Sequence, residues 1–169
     1  MNYFARLTSP VGEITLGSDG STLMGLWISG QKYHSLGLDP GAKARELPVF
    51  KLVASWLERY FAGERPEPGE LPLTLTGSEF RRKVWSLLLE IPSGSVTTYG
   101  ELARRLGTGA RAVGSAVGHN PISIIIPCHR VLGSDGSLTG YAAGLPVKMK
   151  LLQVEGIALN RGQKSLMIN

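Results

Sequence analysis

The sequence is poor in the residues that cross-link small proteins. Its 169 residues include a single cysteine, Cys128, which excludes an internal disulfide and a zinc site made of several cysteines. The three histidines lie at positions 34, 119 and 129, without the spacing of metal ligands. We therefore predict no bound metal. Stability has to come from an apolar core, for which the chain is long enough.

The sequence also lacks an apolar run of about 18 residues, the length that a membrane-spanning helix needs. Its first residues, Met1–Arg6, have neither the basic nor the apolar segment of a secretory signal peptide. We expect a protein without a membrane partner that stays inside the cell, in the cytoplasm or, in a eukaryote, in the nucleus.

Negative charge is scarce in the second half of the chain. Residues 1–77 contain 7 lysines and arginines and 8 acidic residues, whereas residues 78–169 contain 11 and 5. The net charge of +5 therefore comes entirely from the C-terminal part. Such an imbalance is expected of a surface that meets a polyanion such as DNA, although a solvated basic face gives the same count.

Strand patterns dominate the N-terminal part. Tyr3–Thr8 and Glu13–Leu16 flank a turn with proline and glycine, and Leu23–Ile28 follows, which predicts a small antiparallel sheet. Apolar residues at helical spacing between positions 52 and 61 predict one helix. The stretch near 64–76 is rich in proline and charge, and we interpret it as a linker.

The C-terminal part has the pattern of short helices. Ser78 is a predicted N-cap, and Thr98 with Glu101 forms a predicted capping box that opens a helix through Leu106. A glycine-rich turn leads to a second helix over residues 110–117, and this pairing is typical of a helix-turn-helix. The turn also matches a dinucleotide fingerprint. Because it follows a helix rather than a strand, we predict no nucleotide cofactor.

Together, these patterns predict an α+β protein with two parts. Residues 1–76 are expected to form the small antiparallel sheet with its helix. Residues 77–169 are expected to form a mainly helical domain that contains a DNA-binding helix-turn-helix and the positive charge.

The single cysteine lies in an unusual neighbourhood. The isoleucine-rich segment Ile122–Ile126 before it is predicted to be a buried strand or extended segment. A lone cysteine is most often a small buried apolar residue. Cys128, however, is followed by His129 and Arg130, two potential cations that would lower the pKa of a thiol. Adjacent side chains of an extended chain point to opposite sides, so His129 would take the thiol proton through a bridging water.

Glu155 has an unfavourable position for an acid. Pro146 and Gly156 mark the two ends of a predicted helix whose last turn contains Glu155. There the helix dipole disfavours an anion by about 0.3–1 kcal/mol. The carboxylate is either solvated or held by a cation such as protonated His129. In the second case it would be the third group that an activated cysteine needs to orient its base.

Several motifs now occur in one order and spacing, and they make the sequence resemble the O(6)-alkylguanine-DNA alkyltransferases, also called methylated-DNA–protein-cysteine methyltransferases. The motifs that carry the resemblance are Arg111–Gly114, Asn120–Ile122, Ile126–Val131, Thr139–Ala142 and Leu151–Gly156, after a helix that starts near Phe80. The close similarity spans roughly residues 77–160. It implies direct-reversal DNA repair, in which an alkyl group passes irreversibly from the 6-oxygen of guanine to Cys128, once per molecule and without a cofactor. Activity on O(4)-alkylthymine is left open.

The resemblance also implies catalytic roles. Cys128 would be the alkyl acceptor, His129 the base that acts through water, and Glu155 the group that orients it. Asn120 would tie the second helix of the helix-turn-helix to the active-site segment. Tyr99 would bind the guanine ring and supply a proton to the leaving base.

Binding roles follow in the same way. The implied substrate-binding residues are Val117, Val131, Tyr141 and Ala142. The implied DNA-binding residues are Thr98, Arg111, Ala112, Gly114, Ser115 and Arg130, with Arg111 filling the stack that the flipped nucleotide vacates. Small residues on the second helix suit a minor-groove contact that follows shape rather than sequence. The implied partner is double-stranded DNA, and we expect a monomer, with cooperative binding along DNA left open.

Two other classes of protein fit parts of the pattern. A thiol hydrolase could use Cys128 with His129, but it would turn over repeatedly and need no DNA. A sequence-specific helix-turn-helix regulator would bind chosen sites and leave the cysteine inert. The sequence departs from the resembled family at Ala143, where many members have glycine, and we expect this methyl group to narrow the pocket.

Overall fold

The N-terminal part is a four-stranded sheet in a computed structural model that describes residues 1–159. The strands are β1 (Tyr3–Ser9), β2 (Gly12–Ser18), β3 (Leu23–Ile28) and β4 (Lys43–Ala44), in the order β3-β2-β1-β4. The three long strands are antiparallel neighbours, as the sequence predicts, and β4 adds a short parallel edge beside β1. At the first turn, the Ser9 hydroxyl accepts from the Val11 amide at 3.2 Å and donates to the Gly12 carbonyl at 2.7 Å.

One long helix covers this sheet. Helix α1 (Pro48–Phe61) begins earlier than its apolar spacing indicated, because a proline at its first position fixes a helical φ without losing a hydrogen bond. Val53 and Trp56 of α1 join Ile14 and Leu16 of β2 in one apolar core. Trp56 also donates its indole N–H to the carbonyl of Glu67 at 2.9 Å. The segment that follows α1 is therefore held against the helix.

Residues 71–74 of this connecting segment run along the edge of the sheet. The amide of Leu23 donates to the Pro72 carbonyl at 2.8 Å, and the amide of Thr74 donates to the Leu23 carbonyl at 3.0 Å. The side chain of Leu71 is buried. The proline-rich stretch thus connects the two parts of the chain as a packed segment.

The second part consists of short helices. Its elements are α2 (Glu79–Leu89), β5 (Thr97–Thr98), α3 (Tyr99–Leu106), α4 (Ala110–Gly118), β6 (Val131–Leu132) and α5 (Leu145–Val154). The α+β fold with a helical, helix-turn-helix second part is thereby confirmed. The turn between α3 and α4 uses Gly107 in the left-handed conformation (φ 64°), which costs glycine least. No helix within residues 1–159 has the length and apolarity to cross a membrane.

The predicted caps are formed, with one difference. Ser78 accepts from the amide of Arg81 at 3.2 Å, and Thr98 accepts from the amide of Glu101 at 3.0 Å. The second hydrogen bond of the capping box, from the Thr98 amide to the Glu101 carboxylate, is replaced. The carboxylate instead binds the guanidinium of Arg104 at 2.7 Å. An ion pair one turn along the helix thus competes successfully for the carboxylate that the sequence pattern assigned to the cap.

The isoleucine-rich segment before the cysteine is buried, but the prediction of a strand there is wrong. Residues 122–126 form a tight turn, in which Ile124 has φ 71° and the amide of Ile126 donates to the carbonyl of Ile122 at 3.0 Å. One end of the turn pairs with β3, since the amide of Leu26 donates to the carbonyl of Pro121 at 2.9 Å. The turn therefore packs between the two parts of the chain, whose buried side chains form a common apolar cluster.

Candidate active site

Cys128 lies at the start of a single 3-10 turn, Cys128–Arg130, rather than in the extended chain predicted from the sequence. It is 5% exposed and lines a cavity of about 320 Å³. The Asn120 amide nitrogen donates to its sulfur at 3.1 Å. Burial raises the pKa of the Cys128 thiol, an effect that the Asn120 hydrogen bond only partly offsets. The resting thiol is protonated, so a nucleophilic reaction requires a base.

His129 is the buried base candidate. Its Nε2 lies 2.9 Å from Oε1 of Glu155. An ionised carboxylate only accepts hydrogen bonds, so Nε2 carries the proton of this pair. Burial lowers the pKa of His129 against the opposing effect of Glu155, which keeps the ring neutral and leaves Nδ1 as an acceptor. Nδ1 is buried and has no hydrogen-bond partner within residues 1–159.

Glu155 caps the end of α5 and gathers three other buried groups. We call the four residues the Glu155 cluster: Tyr60, His129, Arg130 and Glu155. Arg130 Nε donates to both carboxylate oxygens at 3.0 Å, and the Tyr60 hydroxyl donates at 3.2 Å. Burial alone would raise the pKa of Glu155, but the hydrogen bonds from His129 and Arg130 lower it to about 2. A cation does lie beside this acid. It is Arg130, and not the protonated His129 that the sequence suggested.

The prediction that Arg130 contacts DNA is wrong. Its side chain is 7% exposed and turns inward, where it binds Glu155 and the carbonyl of Ile91. A buried carboxylate needs a permanently charged partner, and a guanidinium provides one with several donors in a fixed plane. From the sequence, an arginine in the basic part of the chain could not be distinguished from a phosphate contact.

Asn120 joins the end of α4 to the segment that carries the cysteine. Its carboxamide nitrogen donates to the Ile126 carbonyl at 2.8 Å as well as to the Cys128 sulfur. Its carboxamide oxygen accepts from the Ile122 amide at 3.0 Å. The side chain therefore closes the turn over residues 122–126 and sets the position of Sγ at the same time.

Two tyrosines face the same cavity as the sulfur. Tyr99 donates to the Gly140 carbonyl at 3.3 Å, and burial raises its pKa to about 12 with a smaller contribution from Cys128. It is therefore a neutral phenol that can donate a proton. Tyr141 has a buried hydroxyl without a hydrogen-bond partner within residues 1–159, and burial raises its pKa as well. The same hydroxyl lies close enough to Cys128 for the sulfur to contribute to this rise.

The structure brings half of the ten predicted substrate and DNA residues to the cavity that contains the cysteine. These five are Gly114, Ser115, Val117, Tyr141 and Ala142, and the predicted catalytic residues Tyr99 and Asn120 line the same cavity. Val131 does not line it, and its carbonyl accepts from the ammonium of Lys148 at 2.6 Å. Thr98 is half-buried, with its hydroxyl used in the helix cap.

The outer side of α4 is open. Arg111, Ala112 and Ser115 are exposed, and a Cβ built on Gly114 would meet no atom within 4 Å. We call these four residues the α4 face. Its small side chains leave the helix backbone accessible to a large partner, and Arg111 is its one long side chain.

Five residues at or next to the site were not selected from the sequence: Lys32, Tyr33, His119, Ser123 and Lys148. Lys148 is fully buried, binds the carbonyls of Val131 and Thr139, and has its pKa lowered to about 8 by burial. No local signal marks a lysine on α5 as buried. Lys32 and Tyr33 come from an N-terminal turn that only the tertiary fold brings to the cavity, whereas His119 and Ser123 lie close to Asn120 in the chain. Within residues 1–159 there is no group of three His, Cys, Asp or Glu side chains that could hold a metal ion.

Comparison with known proteins gives a consistent result over both parts of the chain. Residues 2–75 match the ribonuclease-like domain of 6-O-methylguanine DNA methyltransferase, and residues 79–157 match the DNA binding domain of the same family. A methylated-DNA–protein-cysteine methyltransferase of Haemophilus influenzae is 45% identical over 158 residues, which cover 92% of this chain and 87% of the relative. One of Methanosarcina acetivorans is 42% identical over 157 residues, 91% of this chain and 98% of the relative.

Solved structures agree. The OGT protein of Mycobacterium tuberculosis, crystallised in complex with DNA, superposes with a TM-score of 0.78 at 44% identity and covers 90% of this chain and 92% of that one. An O6-methylguanine-DNA methyltransferase from the archaeon Pyrococcus kodakaraensis superposes with a TM-score of 0.72 at 26% identity, over 91% of this chain and 99% of that one.

Proposed function

The chain belongs to the 6-O-methylguanine DNA methyltransferase family, and from this premise we propose a role for each group around Cys128. The protein is a methylated-DNA–protein-cysteine methyltransferase that repairs DNA by taking an alkyl group from the 6-oxygen of guanine onto its one cysteine. The observation that carries the proposal is the cavity of about 320 Å³ with Cys128 in its lining and the neutral imidazole of His129 in the next position of the chain.

The reaction begins with the thiol proton. Nδ1 of His129 accepts it through one water molecule, while Glu155 holds Nε2–H and stabilises the imidazolium that forms. The thiolate of Cys128 then attacks the alkyl carbon and forms a C–S bond as the C–O bond to guanine breaks. Tyr99 lies in the lining of the cavity and donates a proton to the leaving base, which neutralises the charge that guanine gains.

The product is a thioether, which is stable, so each molecule reacts once. No second thiol is available in the sequence to remove the alkyl group. The lesion is itself the alkyl donor, so the reaction needs no methyl-donating cofactor. Acceptance of O(4)-alkylthymine would use the same displacement, because that base also holds its alkyl group on an exocyclic oxygen.

DNA binding follows from the α4 face. The 6-oxygen of guanine is reached only when the nucleotide leaves the stack, at a cost of a few kcal/mol that is least for a poorly paired base. We place α4 in the minor groove, where Gly114 and Ala112 allow close approach and Arg111 fills the vacated position. The protein would act as a monomer inside the cell, where its DNA substrate lies, and cooperative binding along DNA would require contacts outside this face.

Intact-protein mass spectrometry tests the proposal. Equimolar protein and a duplex with one O(6)-methylguanine should give a gain of one methylene mass on Cys128, which saturates at one per protein. Cys128→Ser should bind the duplex and gain no mass. Transfer by that variant would refute the assignment, and tight duplex binding without transfer by the folded, reduced wild type would indicate a lesion-binding protein.

A further inference from the structure

The N-terminal part contributes directly to the cavity that contains Cys128. The turn after β3, residues 29–38, places Lys32 and Tyr33 in the lining of that cavity. The amide of Lys32 donates to the carbonyl of Ala142 at 3.0 Å, which fixes the turn to the opposite wall. Nothing in the transfer chemistry derived above uses either residue.

Tyr33 is held in place by a ring from α4. Its ring stacks on that of His119, with centroids 4.1 Å apart and planes inclined by 23°. His119 follows the last residue of α4, and its Nδ1 donates to the Ser115 carbonyl at 2.7 Å. The stack therefore joins the N-terminal turn to the helix that presents the α4 face, at a position where both rings line the cavity.

The backbone of the turn is strained at two residues. Tyr33 and Ser35 have φ values of 57° and 61°, a region that disfavours bulky residues by about 1–3 kcal/mol each. The turn is held from below by Gln31, whose carboxamide oxygen accepts from the Ile28 amide at 2.7 Å and from the Ser123 hydroxyl at 3.1 Å. Tyr33 nevertheless remains 49% exposed, so burial alone does not account for the strained position.

We propose that Tyr33, supported by His119, is a specificity-determining residue that forms the outer wall of the alkylguanine pocket and limits the size of the alkyl group. The inference rests on the proposed function, because it assigns the wall to the pocket in which Cys128 reacts. A methyl group is the smallest alkyl group and needs the least space beside the sulfur. A benzyl group adds a flat ring that has to share the cavity with the base, and the aromatic stack occupies part of that space.

The test compares two lesions in the same duplex, O(6)-methylguanine and O(6)-benzylguanine, by the ratio of their second-order transfer rate constants. Tyr33→Asn removes the ring, while asparagine tolerates the left-handed backbone. We expect the benzyl-to-methyl ratio to rise about tenfold, the lower end of what a few carbon atoms are worth in a pocket. Tyr33→Phe keeps the ring and should keep the wild-type ratio.

Leu36→Asn is the matched control. Leu36 lies in the same turn, is 57% exposed, and does not line the cavity. Its substitution should leave the ratio unchanged. An unchanged ratio in Tyr33→Asn would overturn the inference, because the ring would then not limit the alkyl group. An equal rise in Leu36→Asn would also overturn it, because the effect would then come from a general loosening of the turn.

A second variant covers the case in which Tyr33→Asn does not fold, judged by thermal unfolding. His119→Ala removes the supporting ring from the other side and should raise the same ratio, to a smaller extent. A flat ratio in that variant contradicts the inference. Failure of the proposed function can be distinguished from failure of this inference. In that case the wild type itself would gain no mass on Cys128 from either lesion.

Discussion

Charged groups behind Cys128 and in front of it differ in how far they are paired. Behind the sulfur, every charge of the Glu155 cluster has a buried partner within 3.2 Å. In front, the hydroxyl of Tyr141 has no partner within residues 1–159, and the α4 face offers glycine, alanine and an exposed arginine. The charges behind the sulfur are thus paired with one another, whereas the α4 face is left open to solvent.

This difference separates the chemistry from the recognition. Hydrogen bonds made before the substrate arrives need no reorganisation during the reaction, and in a buried site they are stronger than in water. The Glu155 cluster therefore orients His129 at all times. In the proposed complex the α4 face makes its contacts only when DNA covers it, so substitutions in this face should alter DNA binding and leave folding nearly unchanged.

The largest expected effect comes from breaking the cluster. Glu155→Gln removes the charge that pairs with Arg130 and leaves a buried guanidinium uncompensated, which costs about 3–5 kcal/mol of unfolding free energy. Urea unfolding measures the loss. The transfer rate should fall as well, because a neutral amide stabilises the imidazolium of His129 less than the carboxylate does.

Tyr60→Phe is the matched control for that variant. It removes one hydrogen bond to the same carboxylate but no charge, so the expected loss is about 1 kcal/mol. Equal losses in the two variants would mean that the cluster stabilises the fold through packing and not through the charge of Glu155.

The next effect is a loss of stability at low pH. The pKa of Glu155 is about 2 in the folded protein against an ordinary value of 4.5, so its contribution is complete above pH 4.5 and is lost as the pH falls towards 2. The stabilisation at stake is about 3 kcal/mol. The stability difference between the wild type and Glu155→Gln should therefore shrink between pH 5 and pH 2.5. A constant difference would show that the carboxylate has an ordinary pKa in the folded state.

A smaller effect is expected from the open side. Arg111→Ala should lower transfer from duplex DNA by about tenfold, equivalent to about 1.4 kcal/mol, because extrusion of the nucleotide loses its replacement in the stack. Its urea midpoint should stay at the wild-type value. Arg111→Lys restores the charge without the planar group, so full recovery in that variant would indicate a phosphate contact instead.

Local sequence signals predicted where the helices of this fold begin. The conformation of the segment before the cysteine depends on non-local contacts. Ser78, Thr98 and Pro146 act within one turn of their own position, and the helices begin beside them as predicted. The turn over residues 122–126 exists because Asn120 binds both of its ends, and isoleucine spacing contains no trace of that contact.

The same distinction applies to the candidate site. The cysteine, the histidine and the acid could be selected from an ordered set of motifs, since each has a residue type suited to its chemistry. Arg130 could not be assigned correctly, because an arginine in the basic part of the chain has the same sequence pattern whether it binds phosphate or, as here, the buried Glu155. Tyr33 could not be selected at all, because its stacking partner His119 belongs to the other part of the protein.

Thr98 tests where the boundary between the two regions lies. It was predicted to contact DNA, yet its hydroxyl already accepts from the Glu101 amide at 3.0 Å at the start of α3. Thr98→Ala should cost about 1 kcal/mol of unfolding free energy, as the loss of an N-cap does, and Thr98→Ser should restore it. Duplex affinity, measured by fluorescence anisotropy, should be equal in the two variants. If the alanine variant instead keeps its stability and loses affinity that serine recovers, the hydroxyl serves DNA and the open region extends from the α4 face to the start of α3.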